Sequence, residues 1–365
     1  MNRSGSARAV LTGLTTAAVA AGMVMLGSGG AQAAEHHQAS GANRPMPPRV
    51  VAPYYESWMA GSPAAAAAQS GNKYLTMAFL QTAAPGSCTA YWNGDTTTPI
   101  ASSSFGSDIA AIQAAGGNVI PSFGGYGADT TNTDIADSCT NVKAIAAVYE
   151  SLVTTYHVTR IDLDIEADSL ANTAGIDRRN KAVALAEHWA QKTGHSLQFS
   201  YTMPTNFTGL EANTLAVLQN AIANDAHVSV VNIMTFDYYD GAYVHDMAAD
   251  TESAATDVHT QLAALYPDKG SAGLWGMIGV TEMPGIDDYG ADETFTTANA
   301  ATVEQWAASK KINTLSFWAL QRDNGGCVGT GGAGDCSGVA QSTWQFSHAF
   351  EPFGIIDNWG RWGQK

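Results

Sequence analysis

Short apolar runs rich in β-branched and aromatic residues alternate along the 365-residue chain with stretches whose apolar residues recur at helical spacing. Eight such runs predict strands, and they occupy residues 49–55, 73–80, 118–125, 159–166, 196–203, 228–237, 273–280 and 312–319. Strands that alternate with helices form parallel sheets. Eight of them over this length predict an α/β fold in one domain, a closed (β/α)8 TIM barrel. A doubly wound open sheet is the alternative, but no Gly-x-Gly-x-x-Gly motif follows the first strand.

The N-terminal residues have the pattern of an export signal. Arg3 and Arg8 precede an apolar, Ala-rich run that ends at Ala-Gln-Ala, residues 31–33. Basic residues, an apolar run and small residues in this order predict a secretory signal peptide over residues 1–33, cleaved after Ala33. A retained membrane anchor is the alternative, because the run is almost long enough to span a bilayer. The signal peptide predicts a secreted, extracellular protein without a membrane contact after cleavage.

The rest of the chain divides into three parts. Residues 34–48 are polar and rich in proline, which predicts a disordered segment. The catalytic barrel is predicted over residues 49–352, and residues 353–365 form a C-terminal tail. We expect a monomer.

Charge and cysteine content limit the partners and the covalent links. The formal net charge of −16 at pH 7 argues against nucleic acid or an anionic membrane as a partner. The four cysteines of an exported chain predict two disulfides. Of the three possible connectivities we favour Cys88–Cys139 with Cys327–Cys336.

Three carboxylates stand two residues apart in the stretch RIDLDIEAD, residues 160–168. In a strand, Asp162, Asp164 and Glu166 share one face, and the aliphatic residues between them share the other. Inside a barrel the acidic face is enclosed, so at least one of these carboxylates should have a raised pKa. An EF-type calcium loop is excluded, because Leu163 and Ile165 stand where that loop needs turn residues. The spacing therefore predicts acid/base chemistry at the C-terminal ends of the strands.

Other strands are predicted to bring polar and aromatic side chains to the same end of the barrel. These candidate substrate-binding residues are Tyr54, Tyr55, Ser122, Tyr201, Met203, Met234, Tyr238 and Trp318, together with Asp237. A cleft with acids at its centre and aromatic rings around it is typical of sites that bind sugars.

These motifs resemble those of glycoside hydrolase family 18, the chitinases and related endo-N-acetylglucosaminidases. Asp162, Asp164 and Glu166 match the end of the family signature Asp-Gly-x-Asp-x-Asp-x-Glu. Residues 122–125, SFGG, resemble its Ser-x-Gly-Gly, and residues 234–237, MTFD, its Met-x-Tyr-Asp. These two matches imply that Gly124 and Phe236 also belong to the substrate-binding residues. Trp318 matches the tryptophan of the eighth strand, so the resemblance extends over about residues 49–350.

The resemblance implies a role for each matching residue. Glu166 would be the general acid, and the substrate's own N-acetyl oxygen would attack the sugar with net retention. Asp164 would hold the acetamido N–H, and Asp162 would share a proton with Asp164. Asp237 would bind the distorted sugar, and Trp318 would form the floor. This mechanism needs no metal and no cofactor.

The chain departs from the family pattern at three places. Thr159 and Arg160 replace the first Asp and Gly of the signature, and Phe236 replaces a tyrosine whose hydroxyl contacts the acetamido group. Tyr201, Tyr238 or Tyr239 could supply a substitute hydroxyl. Residues 281–298 are too few for the additional α+β domain of some relatives, which predicts an open groove.

The leading hypothesis is a secreted endo-chitinase whose partner is chitin or N-acetylglucosamine oligomers. One alternative is an endo-β-N-acetylglucosaminidase that acts on N-glycans. The other is a non-catalytic sugar-binding barrel, although such proteins usually lack the acid, which is present here as Glu166.

Overall fold

The computed structural model describes residues 45–241 and 244–355, which all belong to one compact unit. The predicted signal peptide, residues 34–44 of the predicted disordered segment and residues 356–365 of the tail lie outside the described residues. The strands are β1 Val50–Val51, β2 Tyr54–Glu56, β3 Tyr74–Thr82, β4 Ala90–Trp92, β5 Asn118–Gly124, β6 Arg160–Asp164, β7 Gln198–Pro204, β8 Val228–Met234, β9 Ile278–Glu282, β10 Gly285–Ile286, β11 Thr294–Phe295 and β12 Thr314–Phe317.

Helices follow the strands around the outside. They are α1 Pro63–Ser70, α2 Gly106–Ala114, α3 Tyr126–Thr131, α4 Ile135–Ser138, α5 Val142–Tyr156, α6 Thr173–Thr193, α7 Ala212–Ala223, α8 Met247–Leu265, α9 Ser271–Trp275, α10 Thr297–Lys310 and α11 Gln345–Phe350. Short 3-10 turns occupy Ala167–Leu170, Leu320–Arg322 and Glu351–Gly354. No helix within the described ranges is both long and apolar enough to cross a bilayer.

The main sheet is parallel and closes on itself. Its order is β1-β12-β9-β8-β7-β6-β5-β3-β2, with β4 added antiparallel to β3. The two end strands, β1 and β2, are separated in the chain only by Ala52 and Pro53. Ala52 N donates to Leu315 O and Thr76 N donates to Pro53 O, both at 2.9 Å. Because one segment pairs with both edges, the sheet forms a ring and the predicted (β/α)8 barrel is confirmed.

The apolar core lies between the strands and the helices. Phe123 of β5 and Phe199 of β7 both pack edge-on against Tyr149 of α5, with ring centroids 5.3 Å and 5.4 Å apart. Ile161 and Leu163 of β6 point into the same layer and are buried. Burying one such side chain contributes roughly 1.5–3 kcal/mol, so this layer fixes which face of β6 is turned inward.

The seventh strand differs from its predicted position. The sequence predicts it over residues 273–280, but the strand begins at Ile278 and ends at Glu282, because Ser271–Trp275 form α9. In α9, Trp275 stacks on His259 of α8 at 4.5 Å. The composition of residues 273–275 is typical of a strand, but these residues are helical and pack against α8.

The segment between β9 and α10 is short, and two disulfides connect other segments outside the ring of strands. Between β9 and α10 the chain forms only the two-stranded ribbon β10–β11, so no α+β domain is inserted there. The disulfides Cys88–Cys139 and Cys327–Cys336 are both present, in agreement with the predicted pairing.

Candidate active site

Strand β6 places Asp162 and Asp164 on the inner face of the barrel. Each oxygen of Asp162 accepts two hydroxyl hydrogen bonds. Oδ2 accepts from Tyr54 at 3.0 Å and from Ser122 at 2.7 Å. Oδ1 accepts from Ser200 at 2.6 Å and from Thr202 at 2.9 Å. The donors come from β2, β5 and β7, so Asp162 is held by three strands at once.

Asp164 lies one inward position nearer the mouth and has fewer partners. Its side chain is buried, and its Oδ1 has no hydrogen-bond partner among the described residues. Burial raises the pKa of Asp164 well above its usual value, and the charges of Glu166 and Asp162 raise it further. Burial also raises the pKa of Asp162, while its four hydroxyl donors lower it. This arrangement favours a proton on Asp164 next to an ionised Asp162.

Glu166 follows β6 at the mouth of the barrel. Its backbone is extended, with φ −131° and ψ −179°, and Ala167 then turns the chain with φ 40°. The side chain is partly buried. The pKa of Glu166 is raised to about 7, chiefly by burial; the N–H of Tyr126 opposes this increase and the charge of Asp237 adds to it. A carboxyl group that keeps its proton near neutral pH has the property that a general acid needs.

The SFGG turn at the end of β5 lets two backbones pass closely. Gly124 has φ 91°, and a Cβ atom there would lie 1.9 Å from the carbonyl oxygen of Asp164. Gly125 has φ 81°, and a Cβ atom there would lie 2.5 Å from the ring of Phe79. Glycine is therefore required at both positions, since it alone tolerates the left-handed backbone and leaves room for the neighbouring atoms.

Aromatic rings form an apolar floor beside the carboxylates. Trp318, which follows β12, stacks on Phe79 of β3 with centroids 5.4 Å apart and an interplanar angle of 12°. The ring of Tyr54 contacts Trp318 at 5.6 Å, and Trp58 lies 6.1 Å from both Phe79 and Trp318. Trp318 is partly buried and Trp58 is exposed, so the rings give the open cleft a flat apolar surface.

Asp237 follows β8 and is fixed by the loop between β10 and β11. Its Oδ1 accepts the N–H groups of Asp288 and Tyr289, both at 3.1 Å. The pKa of Asp237 is raised to about 7, first by burial and then by the charge of Asp288. A cleft of about 420 Å³ opens beside Asp237, and Phe207 and Tyr238 belong to its lining.

One group of carboxylates is close enough to share a cation among the residues described. Asp237, Asp287 and Glu293 each offer an oxygen, and these oxygens lie within 4.8 Å of one another. Asp287 accepts the N–H of Asp237 at 3.1 Å, and Glu293 accepts the N–H of Tyr238 at 2.8 Å. Their visible role is therefore to organise the loop that carries Asp237.

The sequence profile of glycosyl hydrolases family 18 matches residues 50–282, which include all of the carboxylates of β6 and Asp237. The chain belongs to glycosyl hydrolase family 18. The resemblance inferred from the motifs is thereby confirmed.

Relatives of this family 18 chain include two curated proteins. A probable bifunctional chitinase/lysozyme of Escherichia coli (strain K12) is 30% identical over 321 residues, which are 84% of this chain and 35% of that protein. Endochitinase 11 of Metarhizium anisopliae is 33% identical over 226 residues, 60% of this chain and 42% of that protein. The chain thus spans about two fifths or less of the length of these relatives.

Among solved structures, the catalytic domain of a hyperthermophilic chitinase from Pyrococcus furiosus superposes with a TM-score of 0.73. It is 27% identical in sequence, and the match covers 86% of this chain and 99% of that one. Nearly the whole of that domain therefore has a counterpart in the family 18 barrel described here.

Three residues predicted to bind substrate lie on the wrong face of their strands. The hydroxyl of Tyr201 donates to Asn180 of α6 at 2.7 Å, and Met203 on the same face is buried in the outer core. In β2, Tyr54 reaches inward to Asp162, so its neighbour Tyr55 points to the helices and also lies in the outer core. The prediction was wrong for Tyr55, Tyr201 and Met203, because alternate residues of a strand face opposite sides.

Tyr54 and Tyr238 are also placed differently from the sequence expectation. Tyr54 lies in the site, but its hydroxyl is bonded to Asp162 and Thr202, so it supports the carboxylates from a buried position. The hydroxyl of Tyr238 is buried without a partner among the described residues. Its pKa is raised well above the usual value, first by burial and then by the charge of Glu282. Tyr201 therefore offers the cleft no hydroxyl in place of the tyrosine replaced by Phe236, whereas the hydroxyl of Tyr238 is unpartnered but buried.

The remaining predicted residues lie at or near the mouth. Met234 is on the inner face of β8, two positions after Asn232, which donates to Thr202 inside the barrel at 2.9 Å. Phe236 follows the strand, is partly buried and packs against the main core. Ser122 and Gly124 stand beside Asp162 and Asp164 respectively, as their contacts above show.

Two residues inside the barrel were not recognised from the sequence. Phe79 stacks on Trp318, but in the sequence it is one apolar residue of a strand among many. Arg160, at the N-terminal end of β6, lies inside the barrel. It donates to Thr314 of β12 at 3.2 Å and to Gln198 of β7 at 3.0 Å. Its presence inside the barrel could have been inferred from its even spacing with Asp162 and Asp164.

Proposed function

We propose that this chain hydrolyses β-1,4 bonds between N-acetylglucosamine units of chitin with retention of configuration. The observation that carries the proposal is the line of carboxylates on β6, in which Glu166 has a pKa of about 7 at the mouth beside the Trp318–Phe79 floor. The chitinase names of the relatives and of the Pyrococcus furiosus domain favour the same substrate class.

In the first step the protonated carboxyl group of Glu166 donates its proton to the glycosidic oxygen as the C1–O bond breaks. The oxygen of the sugar's own acetamido group forms the new bond to C1, which gives an oxazolinium ion. A positioned general acid contributes about 10²- to 10⁴-fold to the rate of such a step.

Asp164 accepts the acetamido N–H in this proposal. A carboxylate at that place holds the group for attack and offsets the positive charge that develops on its nitrogen. The proton that rests on Asp164 passes to Asp162 when the acetamido N–H binds, so the pair keeps one proton and Asp164 is ionised at that stage. The hydroxyl groups around Asp162 hold it in place beside Asp164. Trp318 supports the apolar face of the sugar, and Asp237 accepts a hydroxyl hydrogen.

In the second step the ionised Glu166 takes a proton from water. The water oxygen bonds to C1 from the face opposite the acetamido oxygen, and the bond between C1 and that oxygen breaks. Two inversions give a β product.

The test of this function is a comparison of two substrates. The protein is incubated with a hexamer of N-acetylglucosamine and, separately, with a glycoprotein that carries N-glycans, and the products are identified by mass spectrometry. Cleavage of the hexamer supports the proposal. Release of N-glycans alone would identify an endo-β-N-acetylglucosaminidase, and binding without cleavage would identify a sugar-binding barrel.

We also propose that the mature protein is exported. The order of basic, apolar and small residues over residues 1–33 and the two disulfides favour an oxidising compartment. N-terminal sequencing of protein recovered from culture medium should begin at Ala34. Recovery only from the membrane fraction, with residues 1–33 attached, would contradict export by cleavage.

A further inference from the structure

The chain that carries Glu166 is held by hydrogen bonds on both sides of β6. Ile165 N donates to Thr202 O of β7 at 2.8 Å, and Gly125 N donates to Asp164 O at 3.2 Å. The next amide, that of Glu166 itself, donates to Oδ2 of Asp129 at 2.5 Å. The first two contacts are between backbone groups, whereas the third depends on a side chain and can be removed by substitution.

Asp129 lies on α3, the short helix that follows the SFGG turn. Its own N–H donates to Gly125 O at 3.0 Å, and its side chain is 2% exposed. Near it, Asp134 forms a buried ion pair with Arg179 of α6 at 2.9 Å. The segment that presents Asp129 is therefore anchored to the helix layer while its carboxyl group reaches the end of β6.

The Asp129 carboxyl group can accept the Glu166 N–H even when it is protonated. The pKa of Asp129 is raised to about 9, first by burial and then by the charge of Asp134. A neutral carboxyl group retains a carbonyl oxygen that accepts an N–H. An asparagine side chain has nearly the same shape and the same carbonyl acceptor.

We propose that Asp129 is a positioning residue for the hydrolysis proposed above, one that aims the Glu166 carboxyl group by holding the Glu166 main-chain N–H. The inference rests on that proposed function for its kinetic consequence, but the contact itself is independent of the substrate. Asp129 does not touch the reacting atoms.

The expected consequence of losing this contact follows from geometry. Without an acceptor the Glu166 amide, which emerges from a buried strand, must find water or move. Ala167 turns the chain directly afterwards, so a small rotation at residue 166 redirects its side chain. A displacement of about 1 Å in a catalytic group costs on the order of 100-fold in rate.

Three variants test the proposal in the full chain. Asp129→Ala should lower kcat on the N-acetylglucosamine hexamer about 10- to 100-fold and leave KM within about threefold. Asp129→Asn should restore kcat to within about threefold of the wild type, because the amide carbonyl replaces the acceptor. Glu187→Ala is the matched control, since Glu187 Oε2 likewise accepts a main-chain N–H, that of His227 at 3.0 Å, just before β8 begins at the opposite end of the barrel. Its kcat should equal that of the wild type.

Amide hydrogen exchange supplies a readout that does not depend on turnover. In Asp129→Ala the peptide that contains residues 165–168 should exchange at least about tenfold faster than in the wild type, and Asp129→Asn should retain the protection. Equal kcat for Asp129→Ala and the wild type, or unchanged exchange in this peptide, would overturn the proposal. A wild-type protein that does not cleave the hexamer would overturn the proposed function alone, and exchange would still decide whether Asp129 holds Glu166.

Discussion

At the scale of single residues, the chemistry depends on the proton that Glu166 carries. Its pKa of about 7 reflects burial first, then the opposing effects of the Tyr126 N–H and the Asp237 charge. Asp162 and Asp164 share the inner face of β6, so the two carboxyl groups titrate as a coupled pair. A change at one of these three residues should therefore affect the pH dependence of the other two.

Substituting Glu166→Gln should leave the fold intact and lower kcat by about 10²- to 10⁴-fold, because an amide cannot donate the required proton. In the wild type, kcat/KM should fall as pH rises through about 7, since the acid is then ionised. Initial rates on N-acetylglucosamine oligomers between pH 4 and 9 measure both effects. Asp168→Asn, an exposed acid two residues further along, is the control and should keep the wild-type rate. Wild-type turnover by Glu166→Gln would remove Glu166 from the role of general acid.

At the scale of elements, the site is assembled where β5 and β6 meet. Ser122 pairs with Asp162 and Gly124 pairs with Asp164 in the parallel ladder. The turn after β5 must therefore pass the carbonyl of Asp164 at close range before it enters α3. The two glycines of SFGG serve this approach, and α3 brings Asp129 to the Glu166 amide.

Gly124→Ala should strongly destabilise the protein, because the new methyl group would meet the Asp164 carbonyl at 1.9 Å while the backbone keeps φ 91°. We expect a loss of at least about 3 kcal/mol in the free energy of unfolding. Gly71→Ala is the matched control, since Gly71 has φ 79° with nothing within 4 Å of the added carbon. It should cost only the left-handed backbone term of about 1–2 kcal/mol. Urea unfolding measures both, and equal losses would show that the clash is relieved elsewhere.

At the scale of the whole molecule, many carboxyl groups are buried with raised pKa values. Burial raises that of Glu282 to about 8, and burial and the charge of Asp237 are among the causes that raise that of Asp287 to about 8. In the unfolded chain these groups ionise near pH 4. Between about pH 4 and pH 8 the folded state therefore binds more protons than the unfolded state, and the free energy of unfolding falls as pH rises.

We expect Tm to be highest at roughly pH 4–5 and to decrease toward pH 8. Glu282→Gln should flatten this decrease, since glutamine still accepts the bond from Thr251 Oγ1 but does not ionise. Asp268→Asn, at an exposed position, should leave the slope unchanged. Calorimetry across this pH range provides the measurement. A Tm that increases from pH 5 to pH 8 would contradict the linkage.

The open groove is also a property of the whole molecule. Because only the β10–β11 ribbon separates β9 from α10, no inserted domain walls the cleft on that side. We expect internal bonds to be cut, so a soluble chitin derivative should lose viscosity early and give mixed oligomers with β anomers formed first. Viscometry and NMR of the first products are the measurements. Disaccharide as the sole early product, at constant viscosity, would contradict internal cleavage.

The sequence by itself determined the barrel and the inward carboxylates of β6. Both are local patterns: helices and strands have different periods, and a two-residue spacing places Asp162 and Asp164 on one face whatever surrounds them.

Only the tertiary structure decided which face of each other strand is inward, because that depends on register between strands. Ser200 pairs with Asp162 and Tyr201 with Leu163, which turns Tyr201 and Met203 outward. Side chains alternate along a strand and so define two faces. The register in which the strand pairs with its neighbours decides which of the two faces points inward. Asp129 reaches Glu166 across 37 residues of chain, and the raised pKa values arise from burial and from charges on separate segments. Contacts of this kind have no local signature, since they exist only once the ring of strands has closed.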